Sequence, residues 1–412
     1  MIVRVVAALG LPMAFASPAG AQLASPQVVP NVQPSLALYY GIDGGGFVRT
    51  FSSSFLPGGL TPADGREMLI AERPLTFASI GTFFGGDGVT TFRAPDLSGR
   101  AVVGASSSLP VGSTVGSETN TLTTSEFPAT IGGGGLAYDN RQPSMALRYL
   151  IRTQGYFPGF DRVPPGPFIG QMALFAGSVI PEGWMVADGR ELSVADLDTE
   201  GLFQTIGTTF GGNGFSTFAL PDMRDRLALG TDYFSPLGSF GGSETTTITP
   251  GNVALEPVVN MQPWMAINYT VVQSGMFPGL AGGEDPGFPS ATGFYLGEVL
   301  ANVTWLPSSR GGLLPIIQNQ ALFSLLGTNF GGDGRITFGL PDLRGRTIIG
   351  AGASALASDR SLYAVGDRVG VPTYTLALGD VQPPTTSVPE PSTLALLAAG
   401  VGLLAVVRRR AT

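Results

Sequence analysis

The stretch IGTFFGGDGVTTFRAPDLSGR at residues 80–100 recurs as IGTTFGGNGFSTFALPDMRDR at 206–226 and as LGTNFGGDGRITFGLPDLRGR at 326–346. Eleven of the 21 positions are identical in all three stretches. The stretches start 126 and 120 residues apart, which is the size of a small domain and too long for one unit of a solenoid. The chain of 412 residues is therefore predicted to contain three tandem copies of one domain.

Weaker blocks flank each of these stretches. LFQTI at 202–206 and LFSLL at 322–326 place apolar residues at positions i, i+1 and i+4, which predicts a short amphipathic helix. Downstream, NRQPSMALRYLIRTQGYFPG at 140–159 matches NMQPWMAINYTVVQSGMFPG at 260–279, and alternating apolar residues predict a half-buried strand. Glycine (60 residues) and proline (33) are frequent, whereas charged residues make up only 13%. Short strands and tight turns are therefore favoured, and the predicted fold class is α+β and β-rich.

The order of these motifs resembles that of the phage tail-collar family, including its microcystin-dependent-protein-like members. The resemblance covers residues 31–383 and implies three tandem collar-like domains at 49–160, 168–280 and 293–383. Relatives often carry a cysteine before Asp-Gly and a Pro-Ala-His-x-His segment. Ala63, Ala187 and the segment FPATI at 127–131 stand in those places here. A histidine-held metal like that of relatives is therefore not expected.

One strand stands apart from its domain. The third copy ends without a Gln-Pro strand like those of the first two, whereas NVQPSLALYY at 31–40 matches such a strand and precedes every copy. We interpret 31–48 as an orphan closing strand that completes the third copy. This pairing would remove an exposed strand edge and close the copies into a pseudo-threefold ring. A remnant of a deleted fourth copy is the alternative.

The N-terminus is predicted to be a secretory signal peptide at 1–21. Arg4 precedes an apolar run at 5–16, and Ala19 and Ala21 form a small-residue cleavage site. Export through the inner membrane is the expected consequence.

The C-terminal segment at 388–412 combines VPEPST, an apolar run at 394–407 and a terminal cluster of arginines. It resembles the PEP-CTERM sorting signal, with the signal residues at Pro389, Glu390, Pro391, Arg408, Arg409 and Arg410. The resemblance implies that the apolar run lies transiently in the inner membrane as a transmembrane helix. It also implies that an exosortase processes the chain, which then reaches the cell surface or the extracellular space. A plain tail anchor is the alternative.

Composition excludes several kinds of chemistry. All 22 basic residues are arginine, and the chain has no histidine and no cysteine. Imidazole, lysine and thiolate catalysis and thiolate metal sites are therefore not available. The net charge of −8 leaves no basic surface for nucleic acid. No cofactor, no metal and no catalytic residue are predicted.

Three charged pairs recur four residues apart, and each has two interpretations. They could bind a ligand, or the arginine could fix the loop after its Asp. The pairs are Asp96 with Arg100, Asp222 with Arg226, and Asp342 with Arg346.

Two further motifs also have two interpretations. The GGDG or GGNG turns could bind Ca²⁺ but are favoured as structural turns, because one turn carries Asn213. Trp184, Trp264 and Trp305 could stack on glycans, although burial is favoured for Trp184.

The expected function is that of an exported structural or adhesive protein of the cell surface or extracellular matrix. Its expected partner is an exopolysaccharide or a surface protein, and it is not expected to be an enzyme. An enzyme degrading surface polysaccharide would need a pair of acids flanking the bond, and no such pair repeats. A domesticated phage tail-fibre component is the third alternative, which the export signals oppose.

Overall fold

The computed structural model describes residues 22–23, 27–53, 56–123, 125–129, 133–158, 163–164, 166–253, 256–277, 294–304, 310–356, 361–376 and 381–382. The predicted signal peptide with Ala19 and Ala21, the sorting tail at 388–412, and Trp305 lie outside these residues. Within the described ranges, no helix is both long and apolar enough to cross a bilayer. The apolar run at 394–407 that was predicted to do so is not among them.

The described residues form short strands and four short α-helices. The first strands are β1 (Gln22–Leu23), β2 (Gln27–Pro30), β3 (Ser35–Ile42), β4 (Phe47–Phe51), β5 (Thr61–Pro62), β6 (Glu67–Leu69), β7 (Thr91–Arg93), β8 (Ala101–Gly104), β9 (Thr114–Val115), β10 (Thr119–Leu122), β11 (Tyr138–Asp139) and β12 (Ser144–Arg152). The next are β13 (Gln171–Phe175), β14 (Trp184–Val186), β15 (Glu191–Ser193), β16 (Thr217–Ala219), β17 (Leu227–Gly230), β18 (Phe240–Gly241), β19 (Thr245–Thr246), β20 (Val258–Val259) and β21 (Trp264–Val271). The last are β22 (Glu298–Asn302), β23 (Leu313–Pro315), β24 (Thr337–Gly339), β25 (Thr347–Gly350), β26 (Arg368–Val369), β27 (Thr373–Tyr374) and β28 (Val381–Gln382). The helices are α1 (Pro74–Ile80), α2 (Glu200–Ile206), α3 (Pro250–Val253) and α4 (Gln320–Leu326), with a 3₁₀ turn at Ile316–Gln318.

Each copy repeats the same elements in the same order. A first strand (β4, β13 or β22) leads to a hairpin (β6–β7, β15–β16 or β23–β24) that encloses one helix (α1, α2 or α4) and is followed by an inner strand (β8, β17 or β25). The copies are numbered 1, 2 and 3 by these inner strands. The two predicted helices correspond to α2 and α4. Their buried residues include Leu202, Ile206, Leu322 and Leu326, which matches the apolar spacing in the sequence.

The closing strands join the copies into a ring. In copies 1 and 2, β12 and β21 run parallel to the inner strands β8 and β17. Each then pairs antiparallel with the first strand of the next copy, β13 or β22. The first strands also pair with one another, β4 with β13, β13 with β22 and β22 with β4. The result is one 14-stranded sheet with pseudo-threefold symmetry.

The N-terminal strand completes copy 3, as its sequence predicted. Strand β3 runs parallel to β25, with Ser35 opposite Thr347 and Leu38 opposite Gly350. It then pairs antiparallel with β4, the first strand of copy 1. This arrangement repeats that of β12 and β21, so the prediction of a closed pseudo-threefold fold is confirmed. The ends of the described chain also meet, because β1 pairs with β28.

The centre of the ring is apolar and includes one tyrosine from each closing strand. Their hydroxyls donate to carbonyl oxygens of the parallel inner strands: Tyr40 to Ile348, Tyr149 to Val102 and Tyr269 to Ala228, at 3.5, 3.0 and 3.3 Å. Burial raises the pKa of all three hydroxyls, so they remain protonated donors.

A second, smaller core lies beside the starts of the closing strands. In each copy, a short strand follows the inner strand. It pairs with a short strand that precedes the closing strand of another copy: β10 with β2, β19 with β11, and β27 with β20. We call this part the axial head. Its core is formed by Val29, Leu122, Phe127, Tyr138, Ile248, Val258, Tyr374 and Leu376. Phe127, from the FPATI segment, is buried there. An apolar core therefore includes part of the segment where relatives carry their histidines.

Candidate binding site at the junctions between copies

The three copies meet at equivalent backbone contacts. The Asp-Arg loops, residues 95–100, 221–226 and 341–346, each lie against the last residue of the preceding copy's inner strand. Asp225 N donates to Gly104 O at 2.8 Å, and Gly104 N donates to Arg226 O at 2.9 Å. Gly230 makes the same two bonds with Gly345 and Arg346, and Gly350 with Gly99 and Arg100. We name these contacts junctions 1–2, 2–3 and 3–1.

Each junction requires glycine at the end of the inner strand. A Cβ built on Gly104 would lie 1.8 Å from the carbonyl oxygen of Met223. On Gly230 it would lie 1.9 Å from Leu343 O, and on Gly350 1.9 Å from Leu97 O. Real Cβ atoms essentially never approach within 3.0 Å. The backbones of neighbouring copies are therefore in direct contact, which leaves no space for a side chain.

Two of the three predicted Asp–Arg pairs form within these loops. Arg100 Nη1 donates to the backbone carbonyl of Asp96 at 3.0 Å and to its Oδ2 at 3.3 Å. Arg226 Nη1 donates to Asp222 O at 2.9 Å and lies 3.4 Å from Asp222 Oδ2. Bonds to the loop's own carbonyl favour the loop-fixing interpretation for both pairs. In copy 3, burial lowers the pKa of Arg346, and Asp342 bonds a different arginine.

Bidentate ion pairs form between residues two apart in these loops, a spacing that the sequence analysis did not single out. Arg224 Nε and Nη2 lie 2.8 and 2.9 Å from the two carboxylate oxygens of Asp222, and Arg344 binds Asp342 in the same bidentate way at 2.8 and 2.7 Å. The Arg344 hydrogen bond lowers the pKa of Asp342. The Asp-x-Arg spacing is present in the sequence and could have indicated these ion pairs. Equivalent pairs join Asp64 to Arg66 and Asp188 to Arg190.

Two consecutive aromatic residues at junction 2–3 are almost fully exposed. Tyr233 and Phe234 follow β17 and are 91% and 87% exposed. Their rings are perpendicular, with centroids 5.3 Å apart. The loop that carries them is well bonded, because Asp232 Oδ1 accepts Phe234 N at 2.9 Å and Ser235 N at 2.6 Å. A rigid loop therefore holds two large apolar groups in water.

The aromatic pair lies beside the ion pair of copy 3. A Cβ on Gly345 would be 2.7 Å from Asp232 Oδ2. The hydrogen bond from Arg344 to Asp342 raises the pKa of Arg344, and the Asp232 carboxylate raises it further. Asp232, which precedes the aromatic pair in the chain, is thus close to the loop that carries the Asp342–Arg344 ion pair. We call Asp232, Tyr233, Phe234, Asp342 and Arg344 together the aromatic junction.

Junction 1–2 is polar instead. Ser106 Oγ donates to Asp225 Oδ1 at 2.6 Å. A cleft of about 380 Å³ is lined by Ser106, Ser107, Asp222, Arg224, Asp225, Arg226, Glu244 and Pro263. Asp225 has a φ of 57° and is the only non-glycine residue with positive φ in the described chain, where copies 1 and 3 have Gly99 and Gly345. Junction 3–1 is covered, since Ser354 Oγ donates to Asp96 Oδ2 at 2.7 Å.

The GGDG and GGNG turns are held by hydrogen bonds within each turn. Asp87 Oδ1 accepts the backbone N–H groups of the residues two, three and four positions later, at 2.7 to 2.8 Å. Asn213 and Asp333 do the same. The oxygen of an amide and that of a carboxylate therefore accept the same three backbone hydrogen bonds, as expected for a structural turn. No group of three or more His, Cys, Asp or Glu side chains that could hold a metal ion occurs among the residues that the structure describes.

A glycan-stacking surface of tryptophans, one of the two interpretations, does not form in the described part of the chain. Trp184 is 5% exposed and packs on Phe47 at a centroid distance of 5.3 Å, so its predicted burial is confirmed. Trp264 is only partly exposed and packs against the cluster around Ala101 and Leu227. Tyr233 and Phe234 are instead the exposed aromatic residues at a junction. Sequence alone did not distinguish them from core residues.

Comparison with known protein families agrees with this architecture. The model of the Phage Tail Collar Domain matches residues 46–102, 170–228 and 300–348. Each match runs from the first strand of a copy into its inner strand, and the closing strands lie outside. The PEP-CTERM protein-sorting motif matches residues 387–411. No curated protein and no solved structure matches the chain.

The chain is thus a protein with three phage tail collar domains and a PEP-CTERM sorting motif. The motif implies processing by an exosortase and identifies an exported surface protein.

Proposed function

We propose that this protein is a non-enzymatic adhesin of the cell surface or extracellular matrix that binds exopolysaccharide at the aromatic junction. The observation that carries the proposal is the Tyr233–Phe234 pair, exposed to 91% and 87% on a loop fixed by its own hydrogen bonds. Large exposed apolar groups beside polar ones are typical of interaction sites.

The chemistry of the surface suits a sugar ring. An aromatic face packs against the apolar C–H face of a pyranose, and the perpendicular rings present faces in two directions. The adjacent Asp342–Arg344 pair supplies carboxylate oxygens and guanidinium N–H groups for equatorial hydroxyls. A polymer offers many equivalent rings, so the site has many places to bind along it.

Co-sedimentation of the processed chain, residues 22–388, with the exopolysaccharide of the producing cells tests the proposal. The viscosity of the polymer is recorded in the same tube. The double variant Tyr233→Ala/Phe234→Ala is expected to lose binding at least tenfold, since stacking contacts contribute about 0.5 to 1.5 kcal/mol each beyond their buried area. Viscosity is expected to stay constant.

Phe215→Ala is the matched control. Phe215 is 94% exposed in the GGNG turn and is not part of the aromatic junction, so its removal deletes an equally exposed ring. Equal loss in the control and the double variant would show nonspecific hydrophobic binding and refute the site. Binding that survives both changes would also refute it, because the polymer would then bind elsewhere on the protein. No binding by the unmodified chain would direct the search to a protein partner. A falling viscosity would establish the alternative enzyme.

A further inference from the structure

The three closing segments bring equivalent asparagines together in the axial head. Each segment has the sequence Asn-x-Gln-Pro, at 31–34, 140–143 and 260–263. The backbone N–H of each asparagine donates to the chain of the next copy: Asn31 to Glu118 O, Asn140 to Glu244 O and Asn260 to Pro372 O, at 2.8, 2.7 and 2.8 Å. The three residues thus occupy equivalent positions around the pseudo-threefold axis, and we call them the asparagine ring.

The side-chain amides of the ring are oriented by the same cycle of bonds. Asn31 Nδ2 donates to Ser117 O at 3.1 Å, Asn140 Nδ2 to Ser243 O at 3.2 Å and Asn260 Nδ2 to Val371 O at 3.0 Å. Because every Nδ2 faces a carbonyl, the assignment of nitrogen and oxygen in each amide is determined. Each Oδ1 therefore lies on the other side of its amide.

All three amide oxygens are buried and accept no hydrogen bond within the described residues. The asparagines are 0%, 1% and 0% exposed. A buried carbonyl oxygen without a partner costs about 1 to 3 kcal/mol, and here the cost occurs at three equivalent positions. Nearby Gln33 Oε1 is a further oxygen of this kind, and Gln142 Nε2 is a donor in the same state.

We propose that the asparagine ring binds one monovalent metal cation. A single water has two hydrogens and would leave one of the three oxygens without a donor, whereas one cation on the pseudo-threefold axis would be ligated by all three. Neutral carbonyl oxygens replace the hydration shell of K⁺ in proteins, while Ca²⁺ sites depend on carboxylates. Asp139 and Arg141, which flank Asn140 in the chain, form a bidentate ion pair that is neutral as a unit.

Diffraction from crystals of the processed chain grown with RbCl as the only alkali salt tests the proposal directly. We expect one anomalous peak surrounded by Asn31, Asn140 and Asn260. Density at water level without an anomalous peak would overturn the proposal and assign the oxygens to ordered water.

Thermal unfolding in KCl and in choline chloride at equal ionic strength gives a second measurement. Binding to the folded state alone predicts a rise in Tm of roughly 2 °C for each tenfold increase in K⁺ above its dissociation constant. Asn140→Ala is expected to abolish this rise. Asn319→Ala is the matched control, because Asn319 also donates one side-chain bond to a backbone carbonyl, Pro315 O, at the start of α4 and not in the axial head. It should keep the K⁺ response, and equal Tm values in both salts for the unmodified chain would refute the proposal.

Discussion

Substitution of Gly230 by alanine should uncouple copies 2 and 3. The new Cβ would lie 1.9 Å from Leu343 O, more than 1 Å inside the closest real contact of 3.0 Å. The Asp-Arg loop of copy 3 must then move, which breaks the bonds between Gly230 and both Gly345 and Arg346, each 2.8 Å long. Two net hydrogen bonds of about 1 kcal/mol each and about 1 to 3 kcal/mol of strain give a loss of about 3 to 5 kcal/mol.

Equilibrium unfolding in urea measures this loss. Gly312→Ala is the control, because a Cβ on Gly312 meets nothing within 4 Å and its φ is not positive. The control should stay within about 0.5 kcal/mol of the unmodified chain. If Gly230→Ala behaved like the control, the direct contact of backbones at the junctions would be wrong.

Three further changes test other parts of the fold. Asp333→Asn should lower the urea midpoint less than Asp333→Ala, because Asn213 holds the same turn with an amide; an equal loss in the two variants would contradict this. Arg49→Met should cost about 3 to 5 kcal/mol, since it leaves Glu298, 4% exposed, unpaired. The Arg49→Met/Glu298→Met double variant should cost less, and equal losses would refute the reasoning. Backbone N–H groups lower the pKa of Asp333 from its ordinary value to about 2, so the stability that its charge contributes should be present above the ordinary pKa and be lost as pH falls toward 2. A series of urea midpoints at different pH values checks this. Asp333→Asn should not show this loss of stability at low pH, because its amide does not titrate.

Repetition made most of the fold predictable. The three long stretches located the turn, the Asp-Arg loop and the start of the inner strand of each copy, because these need glycine, proline and aspartate at fixed offsets. The isolated Gln-Pro motif at the N-terminus even predicted that β3 completes copy 3, since a strand with an apolar face needs a partner.

The contacts between copies were not predictable from the sequence. Gly104, Gly230 and Gly350 resemble ordinary strand-ending glycines, and only the approach of a neighbouring loop shows why each is needed. Side-chain exposure could not be predicted from residue type either. Tyr233 and Phe234 are large aromatic residues like Phe218, yet Phe218 is fully buried. Local sequence carries periodicity, whereas burial depends on which distant segment covers a residue.

The closing strand of copy 3 precedes copy 1 in the chain, which has a consequence for folding during export. Strand β3 emerges first during export, but its partner β25 lies about 310 residues later. Contacts of such high sequence separation form late and slowly. The ring therefore cannot close until β25 has emerged as well. Closure brings β1 beside β28, five residues before the matched sorting motif. Pairing of the two ends of the described chain thus depends on residues that lie just before the sorting motif.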